Sequence, residues 1–387
     1  MQAPQTMEQA VRERYSAAAE RKQDALCCPT AYDPKYLAAL PQEIIEKDYG
    51  CGDPSRYIRP GEAVLDLGSG AGKICYIASQ IVGPAGHVIG VDMNEEMVAL
   101  ARKHQKQISE TVGYDNVEFR KGRIQDLQLD RQRLDVWIEG HPVLCEHDLV
   151  ELEHYQQQLR VEQPLIPDES ITVVISNCVL NLVDGDQKSQ LFREIYRVLK
   201  RGGRAVISDI VCDDDVPESL RQDPVLWSGC ISGALREEHL LRAFEEAGFY
   251  GVHIAERTAK PWKTIEGIEF RSATFIAYKG KEGECWDHNE AVIYRGPFRE
   301  VLDDDGHRYR RGDRVAVCRK TFEILQREPY LGHFEVVPPL QSVSPEDARP
   351  FRCSAGTQLR SPKETKGEDY KVTEATGTSC CEPGECG

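Results

Sequence analysis

The chain lacks any apolar run near the roughly 18 residues that a membrane helix needs. Its first residues, Met1-Gln2-Ala3-Pro4-Gln5-Thr6-Met7-Glu8, have neither the basic nor the apolar region of a signal peptide. Nor is there a cationic surplus: 48 Lys and Arg stand against 64 Asp and Glu, a net charge of −16. Broad nucleic-acid binding, which neutralises phosphates with Lys and Arg, is therefore disfavoured, and so is docking on anionic lipid. A cytoplasmic location is expected, with neither nucleic acid nor membrane as partner. The remaining bulk figures, 40% hydrophobic and 29% charged over 387 residues, fit two globular domains with room for a small third. Cysteine is not scarce: there are 14. In a reducing compartment thiols in excess serve as ligands or catalysts more than as structural disulfides, although a single Cys in a strand is most simply a small buried residue.

Residues 1–60 read as a helical cap with cysteine-bearing loops, with helix-like patterns over 8–22 and 33–47. From residue 61 short β-rich runs alternate with amphipathic helices. Strands are expected at 63–67, 87–92, 116–120, 171–176, 204–208, 249–256 and 270–278. Helices are expected near 73–82, 94–111, 187–200 and 235–247. Such alternation implies right-handed crossovers and a doubly wound, mostly parallel α/β sheet over 61–280. Residues 128–167 exceed a normal crossover and read as an inserted subdomain or lid. A smaller C-terminal α+β region follows over 285–350, with strands near 291–294 and 314–317 and a helix over 320–327. The Ser-, Thr-, Lys-, Glu- and Gly-rich stretch 351–387 reads as a flexible, Cys-containing tail.

The first chemical signal is Asp66-Leu67-Gly68-Ser69-Gly70-Ala71-Gly72, a glycine loop between a strand and a helix. Its spacing is G-x-G-x-G, and Lys73 stands where the dinucleotide pattern G-x-G-x-x-G would need its last glycine. That departure points away from a nicotinamide cofactor and toward S-adenosylmethionine. Asp92, at the end of the second strand, suits the ribose hydroxyls. Met93 and Ile124 suit the faces of the adenine, and Gln125 or Asp126 its amino group. The cofactor site is thus expected at Asp66, Gly68, Gly70, Gly72, Asp92, Met93, Ile124 and Gln125, with Asn177 reaching the donor from the fourth strand.

The acceptor signal lies in cysteines at loops and strand ends: Cys27 or Cys28, Cys51 in Tyr49-Gly50-Cys51-Gly52, Cys178 in Ser176-Asn177-Cys178-Val179, and Cys230 in Trp227-Ser228-Gly229-Cys230. Cys178 follows the fourth strand, at the carboxyl edge where ligands bind open α/β sheets. Thiolates there suit a soft, thiophilic centre. With Leu65 to Gly72, Ser176 to Leu182, Tyr196-Arg197-Val198-Leu199-Lys200 and Leu226 to Cys230, the chain resembles the arsenite S-adenosylmethionine methyltransferases from about residue 15 to 280, and more weakly over 285–340. The glycine loop and the Tyr196 stretch are common to many methyltransferases; the cysteine stretches are much more specific.

The resemblance implies a class I methyltransferase-like Rossmann fold and methylation of arsenite, then of methylarsenite. It implies As(III) held by Cys51, Cys178 and Cys230. It also implies an upstream cysteine, Cys27 or Cys28, that closes a disulfide with Cys51 during turnover; Cys28-Pro29-Thr30-Ala31 fits that run the better. A thiol reductant of thioredoxin or glutathione type would then reset the pair. Two rival functions are methyl transfer to a small organic acceptor, with incidental cysteines, and thiol-based arsenite binding without catalysis. Elsewhere, Cys75 reads as core and Cys212, beside Asp213-Asp214-Asp215, as a solvated loop residue. Trp227 reads as core or as pocket wall. His141, Cys145 and His147 lack the fourth ligand of a structural zinc site. Cys353, Cys380, Cys381 and Cys386 read either as arsenite-capturing thiols or as parts of a tail without a required role.

Overall fold

The computed structural model describes residues 6–21, 23, 30–47 and 49–366. The chain forms two compact units, Met1–Gly280 and Lys281–Gly387. Three helices open the first unit: Met7–Glu20 (α1), Pro34–Leu37 (α2) and Gln42–Glu46 (α3). Thr6 and Gln9 close a capping box at the start of α1. The continuous helix expected over 33–47 is interrupted at Pro41, which has no N–H to donate and becomes the residue before α3.

The sheet strands are Ala63–Leu67 (β1), His87–Asp92 (β2), Val117–Lys121 (β3), Ile171–Asn177 (β4), Leu199–Cys212 (β5), Leu235–Arg236 (β6), Tyr250–Arg257 (β7), Lys263–Ile265 (β8) and Ile268–Tyr278 (β9). Their order is β3-β2-β1-β4-β5-β9-β7, with β6 on β5 and β8 on β9. The pairs from β3 through β5 are parallel, and β9 runs antiparallel to β5 and β7. The helices Lys73–Val82 (α4), Glu95–Val112 (α5) and Gly185–Val198 (α8) make crossovers. The order reverses between β1 and β4, so the loops leaving those strands open a crevice at the carboxyl edge. One core, including Leu65, Val174, Phe192, Ile207 and Phe275, joins the sheet to its helices.

Two expectations change here. Strand β5 is longer than 204–208 because β9 pairs with it from Arg204↔Tyr278 to Cys212↔Phe270. Cys212 is thereby buried, its thiol directed at the Ala234 carbonyl (3.6 Å), and is not a solvated loop residue. The insert consists of Arg131–Gly140 (α6) and Glu146–Glu162 (α7). It has its own small core of Leu129, Leu134 and Leu159, with Trp137 stacked against His141 and Tyr155. Arg160 ties the insert to Asp126 at 2.9 Å. His141, Cys145 and His147 form no common metal-binding group among the described residues.

Beyond β5 the first unit continues through Glu218–Arg221 (α9), Pro224–Ser228 (α10) and Glu237–Glu246 (α11). The second unit has the sheet β14-β11-β15, made of Arg314–Ala316 (β14), Ala291–Tyr294 (β11) and Phe334–Val337 (β15). Trp286–Asp287 (β10) pairs with Arg349–Pro350 (β16), and Glu300–Leu302 (β12) with Arg308–Arg310 (β13). Helices Arg319–Ile324 (α12) and Pro362–Lys366 (α13) complete it. Its core gathers Val292, Tyr294, Tyr309, Val315 and Phe322. The expected flexible tail therefore begins too early. Residues 351–366 are ordered, because Arg360 pairs with Asp287 (2.5 Å) and Arg314 donates to Thr365 (2.6 Å). Among the described residues no helix is long and apolar enough to cross a membrane.

Candidate active site

β1 ends at Leu67 and the chain turns through Gly68-Ser69-Gly70-Ala71 into α4. The Gly68 and Ser69 N–H groups bond to the Val91 carbonyl at 2.8 and 3.1 Å, pinning the turn to β2. Asp92, at the end of β2, accepts from the N–H of Gly70 (2.9 Å) and of Asn94 (2.8 Å). Burial raises its pKa. The Met93 N–H also approaches the carboxylate, which still leaves part of its roughly four acceptor positions open. Asp66, Gly68, Gly70, Asp92, Met93, Ile124 and Gln125 all border one cleft of about 350 Å³. The Ser69 hydroxyl is buried without a partner. A glycine floor, a carboxylate with free acceptor positions, an orphaned hydroxyl and the apolar Met93 and Ile124 fit a nucleoside ligand.

Two expected donor residues have other tasks. Gly72 does not border the cleft; it caps α4 at φ +84°, and a Cβ there would lie 2.6 Å from the Phe119 ring. Only glycine gives that turn and that helix approach. Asn177 does border the cleft, but its side chain is fully engaged. Its Oδ1 accepts from the N–H of Cys51 (2.9 Å) and of Gly52 (3.0 Å). Its Nδ2 donates to the Gly52 carbonyl (2.8 Å) and the Tyr32 hydroxyl (3.1 Å). The Asn177 side chain therefore seats Cys51 at the border of the donor cleft. Gly50 is required for this seat, because a Cβ there would meet the Asn177 amide at 2.1 Å.

Cys51, Cys178 and Cys230, far apart in sequence, are buried in one cluster with Ile210, Val216 and Ile231. The Cys51 and Cys178 thiols lie within 4.8 Å of each other and of an Asp209 carboxylate oxygen. Cys230 joins through Cys178: its thiol donates to the Cys178 carbonyl at 3.1 Å. Cys178 and Cys230 both have left-handed backbones, at φ +63° and +62°. For a residue with a Cβ this conformation costs about 1–3 kcal/mol and concentrates at functional sites. Cys178 borders the donor cleft. Cys51 borders a second, smaller cleft of about 220 Å³ that also includes Arg56, Glu256 and Thr274. Cys28 and Cys27 lie outside the described residues.

The surroundings favour the neutral form of Cys178 and Cys230. Hydrogen bonding with Cys178 and burial push the Cys230 pKa far up. At Cys178 the hydrogen bond from Cys230 pulls down, but the bond with Cys51 and burial outweigh it, and the result is also well above normal. Burial lifts Asp209 to about 6; its oxygens accept from the N–H of Leu180 (2.8 Å) and Ile210 (2.7 Å). Neutral thiols at Cys178 and Cys230 admit an uncharged, thiophilic ligand without the cost of burying charge.

Several residues of the site carried no sequence signal that singled them out. Asp209 sits in a strand that reads as core. Asn181 donates to the carbonyls of Ile210 (2.6 Å) and Cys230 (3.2 Å), holding the Cys230 turn. Tyr15 on α1 reaches both places: it borders the donor cleft and hydrogen-bonds with Cys230. Arg14 fastens α1 to α10 through Val225 and Ser228, at 2.8 Å each. An amphipathic helix pattern alone does not reveal such contacts. Trp227, read as core or wall, is buried and borders the cleft.

A methyltransferase domain model matches residues 58–161 and 145–248, and a domain of unknown function matches residues 281–370. An arsenite methyltransferase from Aquipseudomonas alcaligenes is 32% identical over 353 residues, 86% of this chain and 91% of that protein. One from Mus musculus is 31% identical, over 80% of this chain and 75% of that protein. Among solved structures, an arsenic(III) S-adenosylmethionine methyltransferase from Chlamydomonas reinhardtii superposes with a TM-score of 0.53 at 27% identity, covering 82% of this chain and 99% of that one.

Proposed function

The chain belongs to the S-adenosylmethionine-dependent arsenite methyltransferases, and on that premise we propose that it methylates trivalent arsenic held by the thiolates of Cys51, Cys178 and Cys230. The observation that carries the ligand set is the paired left-handed backbone of Cys178 and Cys230, which aims two buried sulfurs into one cluster beside the donor cleft.

Arsenite enters uncharged. The three thiols give up their protons as arsenite loses its three hydroxyl groups, so three waters leave and no charge is buried. Asp209, beside Cys51 and Cys178 and titrating near 6, is placed to relay those protons. Arsenic(III) on three sulfurs keeps a lone pair and needs no general base. Bound S-adenosylmethionine supplies an electrophilic methyl on a cationic sulfonium. The chain contributes position, setting the Cys178 side of the cluster against the donor cleft so that the lone pair lies in line with the methyl group. Tyr15, Trp227 and the apolar wall exclude water, which favours a step that dissipates charge.

As the arsenic–carbon bond forms and the methyl–sulfur bond breaks, arsenic becomes formally pentavalent. Two thiolates closing to a disulfide return two electrons, and methylarsenite results. By resemblance that pair is Cys28 with Cys51, and an external dithiol then reduces it. The polar cleft bordering Cys51 is the route by which such a thiol reaches it. Methylarsenite re-enters the same site for the second methylation.

The experiment is to follow S-adenosylhomocysteine formation by the purified chain with a dithiol, with and without arsenite. Release that requires arsenite supports the proposal. Equal release with small organic acceptors and no arsenite would overturn it.

A further inference from the structure

Cys353, which the sequence groups with the tail thiols, stands elsewhere in the fold. In the second unit the sulfurs of Cys285, Cys318 and Cys353 all lie within 4.8 Å of one another. The topology brings them together. Cys285 immediately precedes β10, whose register with β16 is Trp286↔Pro350, and the Phe351 N–H donates to the Cys285 carbonyl at 2.8 Å. Cys353 opens the short turn just after it. Cys318 is the residue capping α12, and its sulfur accepts from the Thr321 N–H at 3.4 Å. Cys318 is buried, whereas Cys285 and Cys353 are partly exposed, so the cluster is open to solvent from one side.

Among the described residues no fourth His, Cys, Asp or Glu joins this group. A structural zinc site is closed by four ligands; trivalent arsenic is satisfied by three thiolates in a pyramid, with a lone pair in the fourth direction. The thiols are soft and select a thiophilic centre. Lys320, bonded to the Gly283 carbonyl at 2.9 Å, places its ammonium beside Cys285. Although burial raises the Cys285 pKa, hydrogen bonding with Cys353 and the Lys320 charge bring it below normal.

We propose that Cys285, Cys318 and Cys353 form a second trithiol site that binds arsenite in the C-terminal unit, separate from the methylating cluster. Binding exchanges three thiol protons and three arsenic-bound hydroxyls for three waters, with no change of oxidation state. The choice of ligand rests on arsenite being this chain's substrate; the site itself rests on the thiol geometry.

The test uses the full chain, reduced and freed of excess arsenite by gel filtration, with bound arsenic and zinc measured by mass spectrometry. Cys285→Ser and Cys353→Ser, both partly exposed positions, are compared with wild type and with the buried Cys318→Ser. Each is expected to bind one arsenic fewer per chain while S-adenosylhomocysteine release with arsenite continues. Wild-type arsenic stoichiometry in Cys285→Ser and Cys353→Ser would overturn the site. So would a zinc ion, one per chain, that arsenite does not displace and these variants lose. Cys178→Ser, run in parallel, isolates the other reading: if it keeps full methylation, the catalytic assignment fails while the loss in the Cys285 variant still stands.

Discussion

The thiol of Cys230 donates to the backbone carbonyl of Cys178 at 3.1 Å, and both residues hold left-handed backbones. Neither is glycine, so the fold sustains two unfavourable conformations side by side. The surrounding structure shows what sustains them. Asn181 clamps the Cys230 carbonyl, the Ser208 carbonyl accepts from the Cys178 N–H (2.8 Å), and Asp209 holds the following turn through the Leu180 N–H. Two cysteine turns from distant parts of the chain are locked to each other, and their sulfurs inherit a fixed separation.

Asn177 separates two readings of the same motif. If its amide serves Cys51, Asn177→Ala leaves the Cys51 and Gly52 N–H groups unpaired, at about 1–3 kcal/mol each where they stay buried. Methylation should fall at least tenfold, with most of the change in the KM for arsenite. The affinity for S-adenosylmethionine, measured by calorimetry, should stay within about twofold of wild type. A large loss of donor affinity with an unchanged KM for arsenite would return Asn177 to the donor site.

Asp92 should behave in the opposite way. Asp92→Asn keeps an acceptor for the Gly70 N–H but removes the charge that would meet ligand hydroxyls. Charge-assisted hydrogen bonds contribute about 1.5–3 kcal/mol, so the donor Kd should rise roughly tenfold to a hundredfold. Arsenite stoichiometry should not move. Calorimetry and arsenic content on one preparation check both halves.

The redox pair divides the two methylations. Cys51→Ser removes a ligand and an electron source, so turnover of both arsenite and methylarsenite should disappear. Cys28→Ser should depress mainly the first step. Rates measured from each starting arsenical decide it, and equal losses in Cys28→Ser would break the division of labour.

A pH prediction concerns the second unit. His307 and Asp303 are buried partners at 2.9 Å. The hydrogen bond to Asp303 raises the His307 pKa above its ordinary 6.5. Burial pushes Asp303 up, but the bond from His307 outweighs it and its pKa lies below the ordinary 3.8. The histidine contribution is complete below 6.5 and is lost as pH rises through the raised value. The carboxylate contribution is complete above 3.8 and is lost as pH falls through the lowered value. The pair therefore stabilises most between 3.8 and 6.5. The thermal midpoint of wild type should exceed that of His307→Ala by more at pH 6 than at pH 8.5. A difference independent of pH would exclude the linkage.

The parallel sheet was legible because short β-rich runs alternate with amphipathic helices, and the Asp66–Gly72 turn marked its ligand edge. Cys51, Cys178 and Cys230 were singled out by their positions at loops and strand ends and by the resemblance to arsenite methyltransferases; that they share one buried cluster is visible only in the fold. Tyr15, Asn181 and Asp209 were not singled out, because their roles come from tertiary approach: a helix contact, an amide clamp and a carboxylate within β5 read as ordinary helix, turn and core. The same limit hid the Cys285, Cys318 and Cys353 cluster, whose members are more than thirty residues apart: the β10–β16 pairing brings Cys285 to Cys353, and the packing of α12 on β10 brings in Cys318. The second tasks of Gly72 and Asn177, a helix cap against Phe119 and a seat for Cys51, were hidden for a related reason. Motif position gives proximity to the cleft, but hydrogen-bond partners and steric neighbours decide what a side chain does there.

The most direct test is arsenic speciation over time with the purified chain, S-adenosylmethionine, arsenite and a dithiol, comparing wild type with Cys178→Ser. The account predicts methylarsenite and then dimethylated arsenic from wild type. It predicts a fall of about a hundredfold or more in Cys178→Ser, since misplacing the arsenic by an ångström is enough to cost that much. Methylated arsenic appearing at the wild-type rate in a folded Cys178→Ser protein would contradict it.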